Sequence, residues 1–144
     1  MAAEENKSIV RRWVDEAYNP GNVGLMDELF AADFVNHDPA NPMVRDLEGL
    51  KQDVRTQQEA FPDRHTSIDE LLADGDKVIK RFTFRGTQSG EWNGIPATGK
   101  QVTLQGIDIL RIENGQITEI WWGYDALGVL QQLGVIPQAE QVGA

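Results

Sequence analysis

The chain changes its hydrophobic rhythm at Pro62, and that change limits what it can fold into more than any other feature. Before Pro62 apolar residues recur every three or four positions, the period of a helix with one buried side; after it they alternate, the period of a strand. Ile9, Val10, Trp13, Val14 and Ala17 predict a helix from Glu4 to Tyr18, stopped by Asn19-Pro20-Gly21-Asn22. A short helix is expected from Val23 to Phe30, and the segment Asp33 to Pro42, with its two prolines, is expected to be a loop. Leu47, Leu50, Val54 and Phe61 mark a third helix that Pro62 closes. Beyond it, Ile68 to Ala73, Val78 to Arg85, Val102 to Ile112 and Ile117 to Tyr124 read as four antiparallel strands, separated by turn signals such as Asp74-Gly75-Asp76. A polar excursion, Gly86 to Lys100, interrupts them and carries Trp92; a last short helix follows Asp125. Helices followed by strands predict an α+β fold with the helices on one face of a curved sheet.

Length and charge narrow the function. With 144 residues the chain suits one domain with one substantial core, hence one site. A formal net charge of -10, with no run of Lys or Arg, repels polyanions, so neither nucleic acid nor an acidic membrane surface is expected as a partner. No apolar run reaches the length of a membrane span, and the acidic start of the chain does not look like a signal peptide. The absence of cysteine removes disulfides and thiolate chemistry and suits a cytoplasmic protein. His37 and His65 share no ligand spacing, so no metal site is expected.

Two carboxylates stand out in the stretch Ile107 to Asp125, because a carboxylate among Ile, Leu and Trp must be paired, protonated or used. Leu104, Gly106, Asp108, Leu110 and Ile112 share one strand face, and Thr103, Gln105, Ile107, Ile109 and Arg111 the other. The turn at Glu113-Asn114-Gly115 sets what lies opposite: a two-residue turn puts Asp108 across from Trp121, a three-residue loop across from Ile120. The three-residue loop is preferred, since it groups Ile120, Trp122 and Tyr124 with the Asp108 face and sets Gly106 opposite Trp122. Asp108 then points inward. Asp125 stands where strand becomes helix, and either turns over the mouth of the same cavity or caps that helix.

The order of elements, with "LFAADFVNHDP", "FPD", "GTQSGEWNGIPATGKQV", "GIDILRIENGQITEIWWGYD" and "LGVLQQLG", resembles the SnoaL-like polyketide cyclases, or ester cyclases, of the nuclear transport factor 2-like superfamily. The resemblance runs from about Asn6 to Val135. It implies an α+β cone, in which a strongly bent antiparallel or mixed sheet wraps the helices around a deep apolar pocket, and assembly into homodimers or larger oligomers. It also implies cofactor-free, metal-free ring closure of a hydrophobic carbonyl substrate by an intramolecular aldol reaction, with Asp125 at the position of the family's acid/base. "IDILRI" is similar to the segment of ketosteroid isomerases whose aspartate stays protonated in its pocket, and Asp108 holds that position. On this footing Asp125 is the expected base, and Asp108, if neutral, a hydrogen-bond donor to the developing enolate. His37 matches a family histidine at the pocket edge, and Gln105 falls on the penultimate strand, where the family has histidine and glutamine near the substrate.

The remaining candidates are aromatic or flank these positions. Trp13, Phe34, Trp92, Trp122 and Tyr124 offer faces for a flat substrate, and Asn36 lies beside His37; aromatic residues at such spacing also serve as plain core. Two other functions remain open at this stage: a cofactor-independent hydroxylase or epoxide hydrolase-like enzyme, and a dimeric module that binds a small ligand without chemistry. Ile107, Ile109 and Trp121 on the outer face predict self-association through the sheets.

Overall fold

The computed structural model describes residues 2–137. Helix α1, Ala2–Arg12, starts on Glu4 and Glu5 and ends on Arg11 and Arg12, charges that complement its dipole. Its continuation, Trp13–Tyr18, widens into a π-helix, with the Asn19 amide reaching back to the Val14 carbonyl. This wider turn sets Trp13 and Tyr18 edge to face, 5.7 Å apart. A 3-10 turn at Val23–Leu25 leads into the single turn α2, Met26–Leu29, where Met26 and Leu29 are buried. Helix α3, Leu47–Ala60, is capped by Asp46, whose Oδ1 accepts from the Gly49 amide at 2.8 Å, and it buries Leu50 and Val54.

The sheet has five strands in the order β1-β5-β4-β3-β2. Strands β2 (His65–Asp74), β3 (Lys77–Thr87), β4 (Gln101–Glu113) and β5 (Gln116–Trp121) form the expected antiparallel meander. The fifth strand corrects the sequence analysis: part of the segment expected to be helix end and loop is β1, Phe30–His37, which pairs in parallel with β5. Its register shifts between Phe30 and Val35, so burial alternates only from Phe34 onward and the period-2 signal is too short to mark a strand. The sheet is therefore mixed.

The β4–β5 turn differs from the preferred three-residue loop as well. Glu113 pairs with Gln116 across a two-residue Asn114-Gly115 turn, both at positive φ (52° and 76°), the conformation that Asn-Gly favours. A bulge then inserts Thr118, so that Leu110 faces Ile120 and Gly106 faces Tyr124. The bulge restores the parity that the longer loop would have given, and the Asp108 face keeps Ile120, Trp122 and Tyr124.

Trp13, Val14, Phe30, Phe34, Val54, Leu110 and Ile120 form the main buried cluster between helices and sheet. A second cluster of Ala60, Phe61, Phe84, Val102, Val129 and Leu133 seats helix α4, Ala126–Gln132, on the far ends of β3 and β4. No helix among the described residues is long and apolar enough to cross a membrane.

Candidate active site

Between the two clusters the curved sheet and the helices leave a cavity of about 310 Å³, lined mainly by aromatic and aliphatic side chains. Trp13, Leu50, Phe61, Phe82, Trp92 and Trp122 are among its walls. The excursion between β3 and β4 supplies Trp92 and Ile95, and Gln88, fully buried, pins it there. Its amide donates to the Ile95 and Pro96 carbonyls at 3.0 and 3.2 Å, and its Oε1 accepts from the Thr98 hydroxyl at 2.7 Å.

Ionisable groups reach this apolar space in three places. The first is Asp38, just past β1, whose Oδ2 accepts from the Tyr124 hydroxyl at 2.9 Å while the Ala40 amide donates to Oδ1 at 3.0 Å. Burial and the facing Asp38 push the Tyr124 phenol far above its ordinary range, so it stays protonated and keeps donating.

The second is on α3, where Asp53 and Gln57 share the inward stripe with Leu50 and Val54. Gln57 Nε2 donates to Asp53 Oδ2 at 2.8 Å, and the buried Tyr18 hydroxyl donates to Gln57 Oε1. Burial raises the Asp53 carboxyl to about 6, against the opposing hydrogen bond from Gln57 and with a further upward push from Asp38. Burial likewise raises the Tyr18 phenol to about 12.

The third is at the centre of the sheet, where Lys80 of β3 lies directly opposite Asp108 of β4. The Lys80 ammonium is 3.1 Å from Asp108 Oδ2, and the Gly123 amide donates to Oδ1 at 3.2 Å. The Lys80 contact is ionic rather than an aligned hydrogen bond, since Oδ2 has no well-directed donor. Burial raises the Asp108 carboxyl above the usual range, with Lys80 opposing that rise. Lys80 also lies over two rings, 4.7 Å from the centroid of Phe82 and 5.3 Å from that of Trp122. Phe82 reaches this position by lying across Gly106, where an added Cβ would sit 2.5 Å from the ring.

The predicted site residues separate into those that line the cavity and those that do not. Trp13, Asn36, Trp92, Trp122 and Tyr124 line it, and the Trp122 indole donates to Asn36 Oδ1 at 2.5 Å. Asp108 is on the inner face but fully buried behind Lys80, which takes the place in the wall. Phe34 packs edge to face on Phe30 in the core. His37 lies away from the cavity, bonded to Glu119 at 2.7 Å and stacked on Trp121. Gln105 is exposed in a shallow groove on the outer face. Of the two positions open to Asp125, the structure shows the cap: its Oδ1 accepts from the Gly128 amide at 2.9 Å, and its side chain borders the outer groove.

Lys80, Asp53, Asp38, Tyr18 and Gln57 were not singled out from the sequence. Lys80 had the same signal as Asp108, a charge on the inner parity between Val78 and Phe82, and Asp53 interrupts an apolar helical stripe. Asp38 had none. Among the described residues no group of three His, Asp or Glu side chains is arranged to hold a metal ion.

The family model described as SnoaL-like polyketide cyclase matches residues 8–133. The chain belongs to that family. Similar relatives are aklanonic acid methyl ester cyclase DnrD of Streptomyces peucetius, 31% identical over 88% of this chain and 88% of the relative, and aklanonic acid methyl ester cyclase DauD of Streptomyces sp. (strain C5), 30% identical over 88% and 80%. The solved structure of TsrD from Streptomyces laurentii superposes with a TM-score of 0.83 at 31% identity, covering 92% of this SnoaL-like chain and 97% of that one. The homologues thus support a polyketide cyclase reading of the cavity.

Proposed function

We propose that the protein closes a ring in a polyketide-like ester by an intramolecular aldol reaction, using side-chain carboxylates and no cofactor. The observation that carries this reading is the convergence of Asp38 and Asp53 on a largely apolar cavity. A substrate folded in that space, rich in conjugated carbonyls, has a carbon acid that its own π system acidifies, so the demands on the protein are a base and a bent shape. Asp53 is the base: raised to about 6, it is ionised at neutral pH yet more basic than a solvated carboxylate. It takes the proton from carbon, the resulting enolate carbon attacks a carbonyl carbon of the same molecule, and the proton passes to the new alkoxide. One C–C bond forms, a C=O becomes C–OH, and the mass is unchanged. The Tyr18–Gln57–Asp53 chain orients the base, and Trp13, Trp92 and Trp122 hold the flat substrate.

The ester named for the relatives DnrD and DauD, aklanonic acid methyl ester, is the first substrate to try. Chromatography coupled to mass spectrometry should find a product of the same mass and a different retention time, formed in the presence of a chelator. Asp53→Asn should lower kcat by on the order of 10²-fold or more. Undiminished turnover in that variant would move the proton transfer to another group, and no isomer from the unaltered protein would favour a ligand-binding cup.

A further inference from the structure

The carboxylate reading leaves the Lys80–Asp108 pair at the middle of the sheet without a task. Lys80 is 3% exposed and Asp108 0%, so both have been taken out of water. A buried ion pair contributes little net stability compared with apolar residues of similar volume, because desolvating both charges offsets their attraction. Strands β3 and β4 already pair along their whole length around it, from Lys77–Arg111 to Thr87–Gln101. Stability alone gives no reason for a lysine here.

The geometry gives another. Asp108 is sealed off, whereas Lys80 is in the cavity wall, the single cationic side chain among the described lining residues. An ammonium has three N–H donors. Asp108 approaches it on one side, the rings of Phe82 and Trp122 flank it, and no further carboxylate among the described residues is paired with it. These contacts leave N–H donors of a cavity-lining ammonium without an acceptor, available to whatever fills the cavity. The mount is also rigid, since Lys80 and Asp108 are on paired central strands and Asp108 is fixed in turn by the Gly123 amide.

We propose that Lys80 is the electrophilic residue of the site: its ammonium hydrogen-bonds the substrate oxygen on which negative charge builds when carbon is deprotonated, and Asp108 positions it. The inference rests on the cyclase reading and deepens it: Asp53 is the base, and Lys80 is the group that receives the enolate. In a low-dielectric cavity a fixed cation acts strongly on charge that appears during the reaction and needs no reorganisation to do so. No covalent bond to Lys80 forms, and its protons stay on nitrogen. The substrate class follows: the donor fits a neutral, enolisable carbonyl that becomes an oxyanion.

The test uses a hydroxyanthraquinone, a flat phenol whose colour reports ionisation, bound to the intact protein. Titration by absorbance should show the bound phenol ionising at least one pH unit below the free one. Lys80→Met should remove that shift, and Lys80→Arg should restore part of it. Because Lys80→Met leaves Asp108 without its cation, the double variant Lys80→Met/Asp108→Asn repeats the measurement in a neutral background. On the ester substrate Lys80→Met should lower kcat by on the order of 10²–10³-fold. A bound phenol that ionises alike in the unaltered protein and both Met variants, or that does not bind at all, overturns the proposal. An unaltered protein that shifts the phenol yet turns over no ester removes the cyclase reading and keeps the oxyanion site. An active enzyme whose Lys80→Met variants keep their rate removes Lys80 and keeps the cyclase.

Discussion

On the inner face of the sheet Lys80 and Asp108 meet at 3.1 Å with almost no exposure, whereas on the outer face Arg81 and Glu70 meet at 3.2 Å half in solvent, and Arg111 stands 3.6 Å from Glu119. The groups are chemically alike, and all belong to one sheet. What differs is the medium: exposed pairs are screened and contribute little, while a buried charge acts at full strength on its neighbours and on any ligand. The apolar residues divide in the same way. Leu110 and Ile120 are fully buried on one side, while Ile107 and Ile109 are 55% and 38% exposed on the other. Position relative to the sheet, rather than residue type, decides which side chains have chemistry available to them.

The largest effect should come from breaking the inner pair. Asp108→Leu leaves the Lys80 charge buried and alone, and urea unfolding should show a loss of about 3–5 kcal/mol. Adding Lys80→Met should recover most of it. An Asp108→Leu protein as stable as the parent would mean that water reaches the pair and that the two faces do not differ in the way described.

Asp53 offers a sharper, pH-dependent contrast. Its carboxyl is raised from 3.8 to about 6, so the folded chain holds this proton more tightly than the unfolded one. The contribution to stability is present in full below pH 3.8 and is lost as pH rises through about 6. Asp53→Asn should therefore be more stable than the parent above pH 7, by about 1–2 kcal/mol once partial exposure is allowed for, with the gain vanishing below pH 4. Thermal melts across pH read this directly, and a gain independent of pH would show that Asp53 is not desolvated in the folded chain.

The smallest effects belong to the outer side. Asp125→Ala should cost about 1 kcal/mol through its lost cap and Asp125→Asn much less, with turnover kept in both. Loss of turnover in Asp125→Asn would instead put proton transfer in the outer groove. Ile107→Lys should change folding stability by no more than about 0.5 kcal/mol, and sedimentation of the parent and this variant would reveal whether the exposed apolar face joins copies of the chain.

Much of this division was legible in the sequence. Alternation along Val102 to Ile112 put Asp108 inside and Ile107 and Ile109 outside, and both placements hold. Local pattern could not supply β1, because its bulged pairing with β5 cuts short the alternation that marks a strand. Nor could it supply Asp38, which follows that strand in a polar segment resembling any loop. Asp125 shows a different limit: matching a position in a family does not say which way the chain turns there, and one residue of parity separates a cavity wall from a helix cap. The hairpin arrived at the expected face by another route, an Asn-Gly turn plus a bulge, since parity depends only on the total number of inserted residues.

The parallel pairing of β1 with β5 has a consequence for the order in which the protein can be made. Among the described residues Phe30–His37 pairs with no strand but Gln116–Trp121, so a chain emerging from the ribosome carries β1 unpaired until β5 has followed β2, β3 and β4. Helix α1 can settle on β2 and β3 in that interval, whereas α3 packs on β1 and waits with it, and closing so long a loop is slow compared with forming the β2–β3 hairpin. The local hairpins are then expected to form first and the cavity last, when β5 docks against β1.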